Sequence, residues 1–342
     1  MRKILLLLLI FICLTSLAEE PKNFSSLDEA KIFLQTSPEA ACTIKNLWLS
    51  PQERQELKST YPQATIKFTD SLEKITLSDE MLDFVVEGPT EIDKNQIEAL
   101  IKAYPNIQTI DLYETRLPRV DMLYLFDTYP NVHFGFTVRF AEHVVRTDAT
   151  AFSTLHNNQS LLHPTELISC LRMCRNLMAL DIGRNLVEDL SFLEYMPKLR
   201  LLIIGCNPVR DISPIGTLKD LEYLEMFSCR VNDISPLQNC TKLIDLNIAH
   251  NRIKDLSPLL KMPQLERLWL NESRGQKNDP VIKELLPLLE KALPCCVIDS
   301  SSMGTGGKWR FHPRYEIVYD IFNQGEWRAW DDTENLLPAE NR

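Results

Sequence analysis

Leu177, Leu199, Leu221, Leu243 and Leu265 stand 22 residues apart, and each opens the same run of apolar positions. Three residues on come Leu180, Leu202, Leu224, Leu246 and Leu268. Five on come Ile182, Ile204, Met226, Ile248 and Leu270, and eight on come Asn185, Asn207, Cys229 and Asn251. A fixed period of this length means stacked coils, since one such coil cannot bury its apolar face alone. The alternation inside each coil predicts a short strand: Leu202 and Ile204 enter the stack, while Leu201, Ile203 and Gly205 face out. Strands of successive coils then pair into a curved parallel sheet. Asn or Cys stands where the chain leaves the strand, and a short amide there satisfies backbone groups that the turn leaves unpaired.

The second half of each coil repeats as VEDLSFL, VRDISPI, VNDISPL and IKDLSPL, from Val187, Val209, Val231 and Ile253. Asp189, Asp211, Asp233 and Asp255 suit a turn, where a carboxylate accepts local backbone hydrogen bonds. With one aspartate per coil and a turn role for each, the column is not read as a metal ladder. Pro214, Pro236 and Pro258 disfavour a long helix on the far side and predict a slim coil. The pattern LxxLxLxx(N/C) is similar to that of leucine-rich repeats, and this slim version resembles the repeats of bacterial surface proteins of the internalin kind. The resemblance implies an α/β fold, a leucine-rich repeat solenoid, whose work is binding.

Arg2 and Lys3, the apolar run Ile4 to Cys13, and Ser16-Leu17-Ala18 before Glu19 read as a secretory signal peptide cut after Ala18. The run is short for a transmembrane span, and Ile12 before Cys13 lacks the small residue of a lipoprotein signal. The expected mature protein is secreted or surface-associated. It carries 35 basic against 47 acidic residues, a balance of −12, the wrong sign for nucleic acid as a partner. Eight cysteines remain. Cys240 fills an apolar slot, Cys229 the Asn slot, and Cys170 and Cys174 read as core; Cys295 or Cys296 bridging to Cys42 stays open. Sequons at Asn23, Asn158, Asn239 and Asn271 are short motifs that arise by chance, and Asn239 precedes the core slot of Cys240.

The N-terminal half repeats differently. LKSTYPQATIKF from Leu57, LIKAYPNIQTID from Leu100 and LFDTYPNVHFGF from Leu125 each read as helix, Tyr-Pro and strand, the proline ending the helix. EKITLSDEMLDFVV from Glu73 matches EHVVRTDATAFSTL from Glu142 at an offset of 69 residues, and NIQTIDL from Asn106 matches NLMALDI from Asn176 at 70. A block of about 70 residues is thus duplicated, each copy with a hairpin-like insertion at Ser78-Asp79 or Thr147-Asp148. These coils resemble the irregular ones of exported leucine-rich repeat proteins from clostridia-like gut bacteria. The expected organisation is a signal peptide over 1–18 and an N-terminal cap over 19–50, with a helix near Ser26 to Thr36. Irregular coils follow over 51–176, the duplicated block running to about 190. Regular coils then occupy 177–272, and a C-terminal cap 273–342.

In that last stretch DPVIKELLPLLEKAL from Asp279 predicts an amphipathic helix and CCVID a strand. GTGGK is not a phosphate loop, for Trp309 follows Lys308 where Ser or Thr is needed. Trp309, Arg310, His312, Arg314 and Tyr315 are expected to close the last coil by stacking and charged hydrogen bonds; a similar segment ends the clostridial proteins.

No catalytic motif such as GxSxG or HExxH is present. His133, His143, His156, His163, His250 and His312 show no metal-ligand spacing, so the reading assigns no enzyme activity, cofactor or metal. The candidate site is the concave sheet face. Leu201, Ile203, Tyr223, Phe227 and Trp269 are apolar where solvent favours polar groups, with Glu225, Asp245, Asn247 and Arg267 beside them. Aromatic anchors with a charged rim suit a protein of host or bacterial surface, and a glycan second. The other reading of the stripe is that the C-terminal segment or a neighbouring copy covers it, and the alternative function is a structural or self-assembling envelope module using the C-terminal segment.

Overall fold

The structure is a computed structural model in which residues 21–45, 47, 49, 51–72, 75–78, 83–86, 92–155, 162–270, 280–300 and 307–330 are described. The expected signal peptide, His156, and the sequons at Asn158 and Asn271 lie outside them. The chain divides into two compact units, residues 1–135 and 136–342.

The first unit runs β1 (Lys22–Phe24), α1 (Leu27–Thr36), β2 (Ala41–Lys45), α2 (Pro51–Thr60), β3 (Thr65–Leu72), β4 (Ile75–Ser78), β5 (Asp83–Val85), α3 (Lys94–Ala103), β6 (Thr109–Leu112) and α4 (Arg119–Thr128). Ser26 opens α1 as the sequence predicts, its hydroxyl accepting from Glu29 N. Strands β1, β2 and β3 pair in parallel, and β4 folds back antiparallel on β3 at the insertion. Ala30, Leu34, Cys42, Ile44, Leu57, Ile66 and Phe68 fill the space beneath. The three Tyr-Pro motifs share one geometry. Tyr61, Tyr104 and Tyr129 each donate the backbone N–H to the carbonyl four residues back, and each accepts from the amide three residues on. The following proline has no N–H to continue the helix, so the chain turns into the next strand.

The chain enters the second unit within β7 (His133–Phe140), which forms a hairpin with β8 (His143–Arg146). There follow β9 (Ala151–Ser153), α5 (Thr165–Ile168), β10 (Ala179–Asp181), β11 (Leu201–Ile203), β12 (Tyr223–Glu225), β13 (Asp245–Asn247), β14 (Arg267–Trp269), α6 (Pro280–Ala292), β15 (Val297–Asp299), α7 (Gly307–Arg310) and α8 (Pro313–Gln324). Strands β9 to β15 form one seven-stranded parallel sheet in sequence order. The register carries the 22-residue period directly: Ala179 pairs with Leu201, Leu201 with Tyr223, Tyr223 with Asp245, and Asp245 with Arg267.

The turns follow from the repeated polar residues. Asn207 Nδ2 donates to the carbonyls of Ile182 at 2.8 Å and Ile204 at 2.9 Å, while its Oδ1 accepts from Val187 N at 3.0 Å. Asn251 repeats this two coils on, and Cys229 Sγ reaches the Ile204 carbonyl at 3.4 Å in the slot between. One residue per coil just before this slot is left-handed: Arg184, Cys206, Ser228 and His250, with φ between 53° and 61°. Asp189, Asp211, Asp233 and Asp255 each accept from the amide of the serine two residues on at 2.8 Å, so the column is a set of turn caps. Those serines start short 3₁₀ helices in place of a long convex helix, three of them with proline in the first turn.

Candidate functional site

Two rows of side chains face away from the coil interiors. One runs Ala179, Leu201, Tyr223, Asp245, Arg267 and the other Asp181, Ile203, Glu225, Asn247, Trp269, with Phe227 beyond. The sequence leaves this face to an outside partner or, alternatively, to the C-terminal segment or a neighbouring copy. In the structure Leu201, Ile203, Tyr223, Glu225, Phe227, Asp245, Asn247, Arg267 and Trp269 are all buried, none more than 7% exposed. Their occupant is the chain's own C-terminal segment. The physical reason is the apolar stripe itself, which costs free energy in water and has a complementary stripe available in the same chain.

That complement is α8 with its flanks. His312 caps the helix, its Nδ1 accepting from Arg314 N at 3.2 Å, and Pro313 takes the first position, where a missing N–H costs nothing. Gly325 ends it in the left-handed region at φ 70°, a conformation that side chains resist. Ile317, Val318 and Ile321 form the buried stripe, packed with Ala151, Ala179, Leu201 and Ile203. The small alanines of β9 and β10 make room for a helix. Gly205 serves a similar end, since a Cβ there would lie 2.6 Å from the Phe227 ring.

Trp309 is the centre of the contact and is fully buried. Its Nε1 donates to Tyr223 Oη at 2.8 Å and to Glu225 Oε1 at 2.9 Å, and Tyr223 Oη in turn donates to Glu225. Its ring lies 5.6 Å from that of Tyr223 and 5.8 Å from that of Trp269, with the Arg267 guanidinium 4.2 Å over it. Asp245 accepts from Arg267 at 2.9 and 2.6 Å and from Arg314 at 2.6 Å, and Arg314 also meets Glu266. Beyond α8, Trp330 Nε1 donates to Glu222 at 2.6 Å, and Trp327 stacks under Arg200. The stacking and charged hydrogen bonds expected of the Trp309 to Tyr315 cluster are present, but they lie across the sheet face instead of closing the last coil.

Burial raises Glu225 above the ordinary carboxylate range, and burial followed by the Glu225 charge lifts Tyr223 well above the usual phenol. Asp181, buried, is pushed up to about 7 by burial, with the Glu225 charge adding to it against hydrogen bonds from Gly183 N and Ser153. The folded chain therefore holds a proton on Asp181 up to about pH 7, whereas the unfolded chain releases it near 3.9. Between those values the native state binds more protons, so this group makes stability fall as pH rises and level off above about 7. Asp181→Asn keeps an acceptor for Gly183 N and removes the charge. In urea titrations the variant is expected to decline less than the wild type from pH 4 to 7 and to be the more stable at pH 8. Equal slopes in the two proteins would show that Asp181 is not protonated in the fold.

A second cluster lies at the β7–β8 hairpin, where Glu142, His143 and His163 converge. Two histidines 20 residues apart show no metal-site spacing in the sequence. The hairpin turn and the entry to the first regular coil bring them together.

A family profile for Leucine Rich repeats (2 copies) matches residues 241–278, the coils that open at Leu243 and Leu265. No curated protein matches the chain. Among solved structures, an internalin (inlF) of Listeria monocytogenes is similar at 20% identity, over 75% of this chain and 71% of that one, with a TM-score of 0.37. Internalin C2 of the same organism is similar at 19%, over 74% and 93%, with a TM-score of 0.34. Nothing about partner or site follows from superpositions at that level. Five coils in one register, with the asparagine and aspartate of the repeat in their turns, build residues 177–270 as a leucine-rich repeat solenoid, and the family match falls on its last two coils.

Proposed function

We propose that this is an exported, non-enzymatic binding protein. It docks a surface protein of host or bacterium on the sheet side of the second unit, through the outer surface of the C-terminal segment seated there. The observation that carries the reading is the contrast between Trp309, fully buried, and Phe311, 84% exposed two residues later. A large aromatic held in water on a rigidly anchored support is the kind of side chain that concentrates binding energy. Tyr319, on α8, is 41% exposed and supplies a second anchor. Leu201, Ile203, Tyr223, Glu225, Phe227, Asp245, Asn247, Arg267 and Trp269 are then the foundation that fixes this segment. The perturbed acids Asp181 and Glu225 lie sealed beneath it, which favours binding over catalysis. Export rests on the basic and apolar opening of the sequence, and no helix among the described residues is long and apolar enough to cross a membrane.

The test compares the chain from Glu19 with its Phe311→Ala/Tyr319→Ala variant in capture from host-surface and bacterial-envelope extracts. Loss of about tenfold or more in a captured protein, with the melting temperature unchanged, is expected if each anchor contributes about 1 kcal/mol or more. Equal capture by both proteins overturns the placement. Concentration-dependent sedimentation abolished by the same variant would assign the surface to self-assembly.

A further inference from the structure

We propose that Glu142, His143 and His163 form a binding site for one divalent metal ion of the zinc class, which pins the β7–β8 hairpin to the first regular coil. His143 Nε2 and His163 Nε2 lie 3.1 Å apart, and Glu142 Oε1 lies 3.2 Å from the first and 3.3 Å from the second. Three ligand atoms at the corners of a tetrahedron with metal bonds of about 2.0 Å stand about 3.3 Å from one another. The observed triangle is therefore close to one face of a zinc coordination shell. The ring centroids are 5.0 Å apart and the ring planes cross at 80°, so the two nitrogens approach each other without the rings colliding.

Protons alone serve this triangle badly. If one Nε2–H donates to the other nitrogen, the acceptor ring has no Nε2–H left and the carboxylate goes without a donor. If both nitrogens carry protons, both crowd onto Glu142 Oε1 with 3.1 Å between the two donors, and Oε2 still has none. Both oxygens of Glu142 are indeed buried without a hydrogen-bond partner. Its side chain is nonetheless 21% exposed, so it is the methylenes that meet water while the charge is turned inward toward two rings only 4% exposed. A carboxylate that buries its charge in this way needs a cation. One dication at the centre of the triangle satisfies all three atoms at once.

The surroundings fit a site built for that purpose. Ala141 and Glu142 make the two-residue turn between the paired Phe140 and His143, and Ala141 adopts a left-handed φ of 48°, a rare conformation for a residue with a side chain. The rings of Phe140 and Phe152 wall the histidines, at 5.4 and 5.8 Å from His143. His163 is fixed through its backbone, donating to Asn185 Oδ1 at 2.9 Å and accepting from Leu186 N at 2.9 Å. The asparagine ladder of the repeats thus positions one ligand and the hairpin turn the other two. Three protein ligands leave a fourth position to water, as in many zinc sites.

The full chain, treated with a chelator, would be given one equivalent of zinc chloride, passed through gel filtration and analysed for metal. A parallel sample would receive cobalt(II). The expected result is one zinc per chain, a higher melting temperature, and tetrahedral cobalt bands in the visible without a thiolate-to-cobalt charge-transfer band. Glu142→Gln keeps the shape of the turn, and His163→Gln removes a ring ligand from the other side. Both should stay folded by circular dichroism and lose zinc by more than the roughly 10- to 100-fold that removal of an outer hydrogen-bond partner costs. No metal retained by the wild type, equal retention by the folded variants, or a thiolate band that places the metal on the cysteines would each overturn the proposal.

Discussion

Trp309→Ala is expected to lower the unfolding free energy of the second unit by about 3–5 kcal/mol. The side chain is fully enclosed between Tyr223, Trp269 and Arg267, so truncation leaves a cavity lined by β12 and β14. It also removes the donor shared by Tyr223 and Glu225, which keep only their hydrogen bond to each other, a loss of about 0.5–1.5 kcal/mol per bond. Trp309→Phe separates the two contributions, for it keeps most of the packing and loses the indole N–H. Its cost should fall between that of Trp309→Ala and that of Phe311→Ala, which removes an exposed ring from the same segment and should stay within about 0.5 kcal/mol. Urea titration followed by far-ultraviolet circular dichroism measures all three. Equal costs for Trp309→Ala and Phe311→Ala would mean that the segment does not rest on the sheet in solution.

The coils were legible because their geometry is local. A 22-residue period, an alternating LxL, an Asn eight residues on and an Asp-x-Ser turn each have a short-range cause, and each element lies where that cause puts it. The outward face was legible as a list of residues but not as to what lies on it. Leu201, Ile203, Tyr223, Phe227 and Trp269 announce a surface that must be covered, and nothing within one coil says by what. Of the covers the sequence allows, the C-terminal segment is the one found, through the stripe Ile317, Val318, Ile321 and through Trp309 and Trp330. Reading Arg314 against Asp245 and Glu266 would have pointed there, since a buried acid beside a single arginine has acceptor capacity to spare. The Glu142, His143 and His163 cluster was hidden for a related reason. Its ligands come from a hairpin tip and a coil entry, and their distance is set by the fold and not by their spacing in the chain.

The second large effect is expected at Asp245, and its size follows from how completely the carboxylate is enclosed. Asp245 is 0% exposed and faces two guanidiniums, Arg267 with 7% of its side chain exposed and Arg314 with 19%. Asp245→Ala leaves Arg267 buried under Trp309 with no counter-charge, a loss expected to cost about 3–5 kcal/mol. Arg314→Ala should cost less, about 1.5–3 kcal/mol, because the bidentate Arg267 pair survives and what is lost is one charged hydrogen bond to Asp245 and a contact to the exposed Glu266. The same 22-residue ladder supplies a control: Lys242 and Asp220 are 2.6 Å apart but 59% and 46% exposed, and Lys242→Ala should change stability by no more than about 1 kcal/mol. Added salt should weaken the exposed pair and leave the buried one nearly unchanged. Replacing both members as Asp245→Leu/Arg267→Met should recover most of the loss, since two matched charges are removed together. If Asp245→Ala proves as mild as Lys242→Ala, the carboxylate is reached by water and the C-terminal segment does not seal the face. A large cost recovered by the double variant would show that the segment is locked onto the repeats by charge as well as by apolar area. A partner would then have to engage the outside of that lock, where Phe311 and Tyr319 are exposed, and not the sheet beneath it.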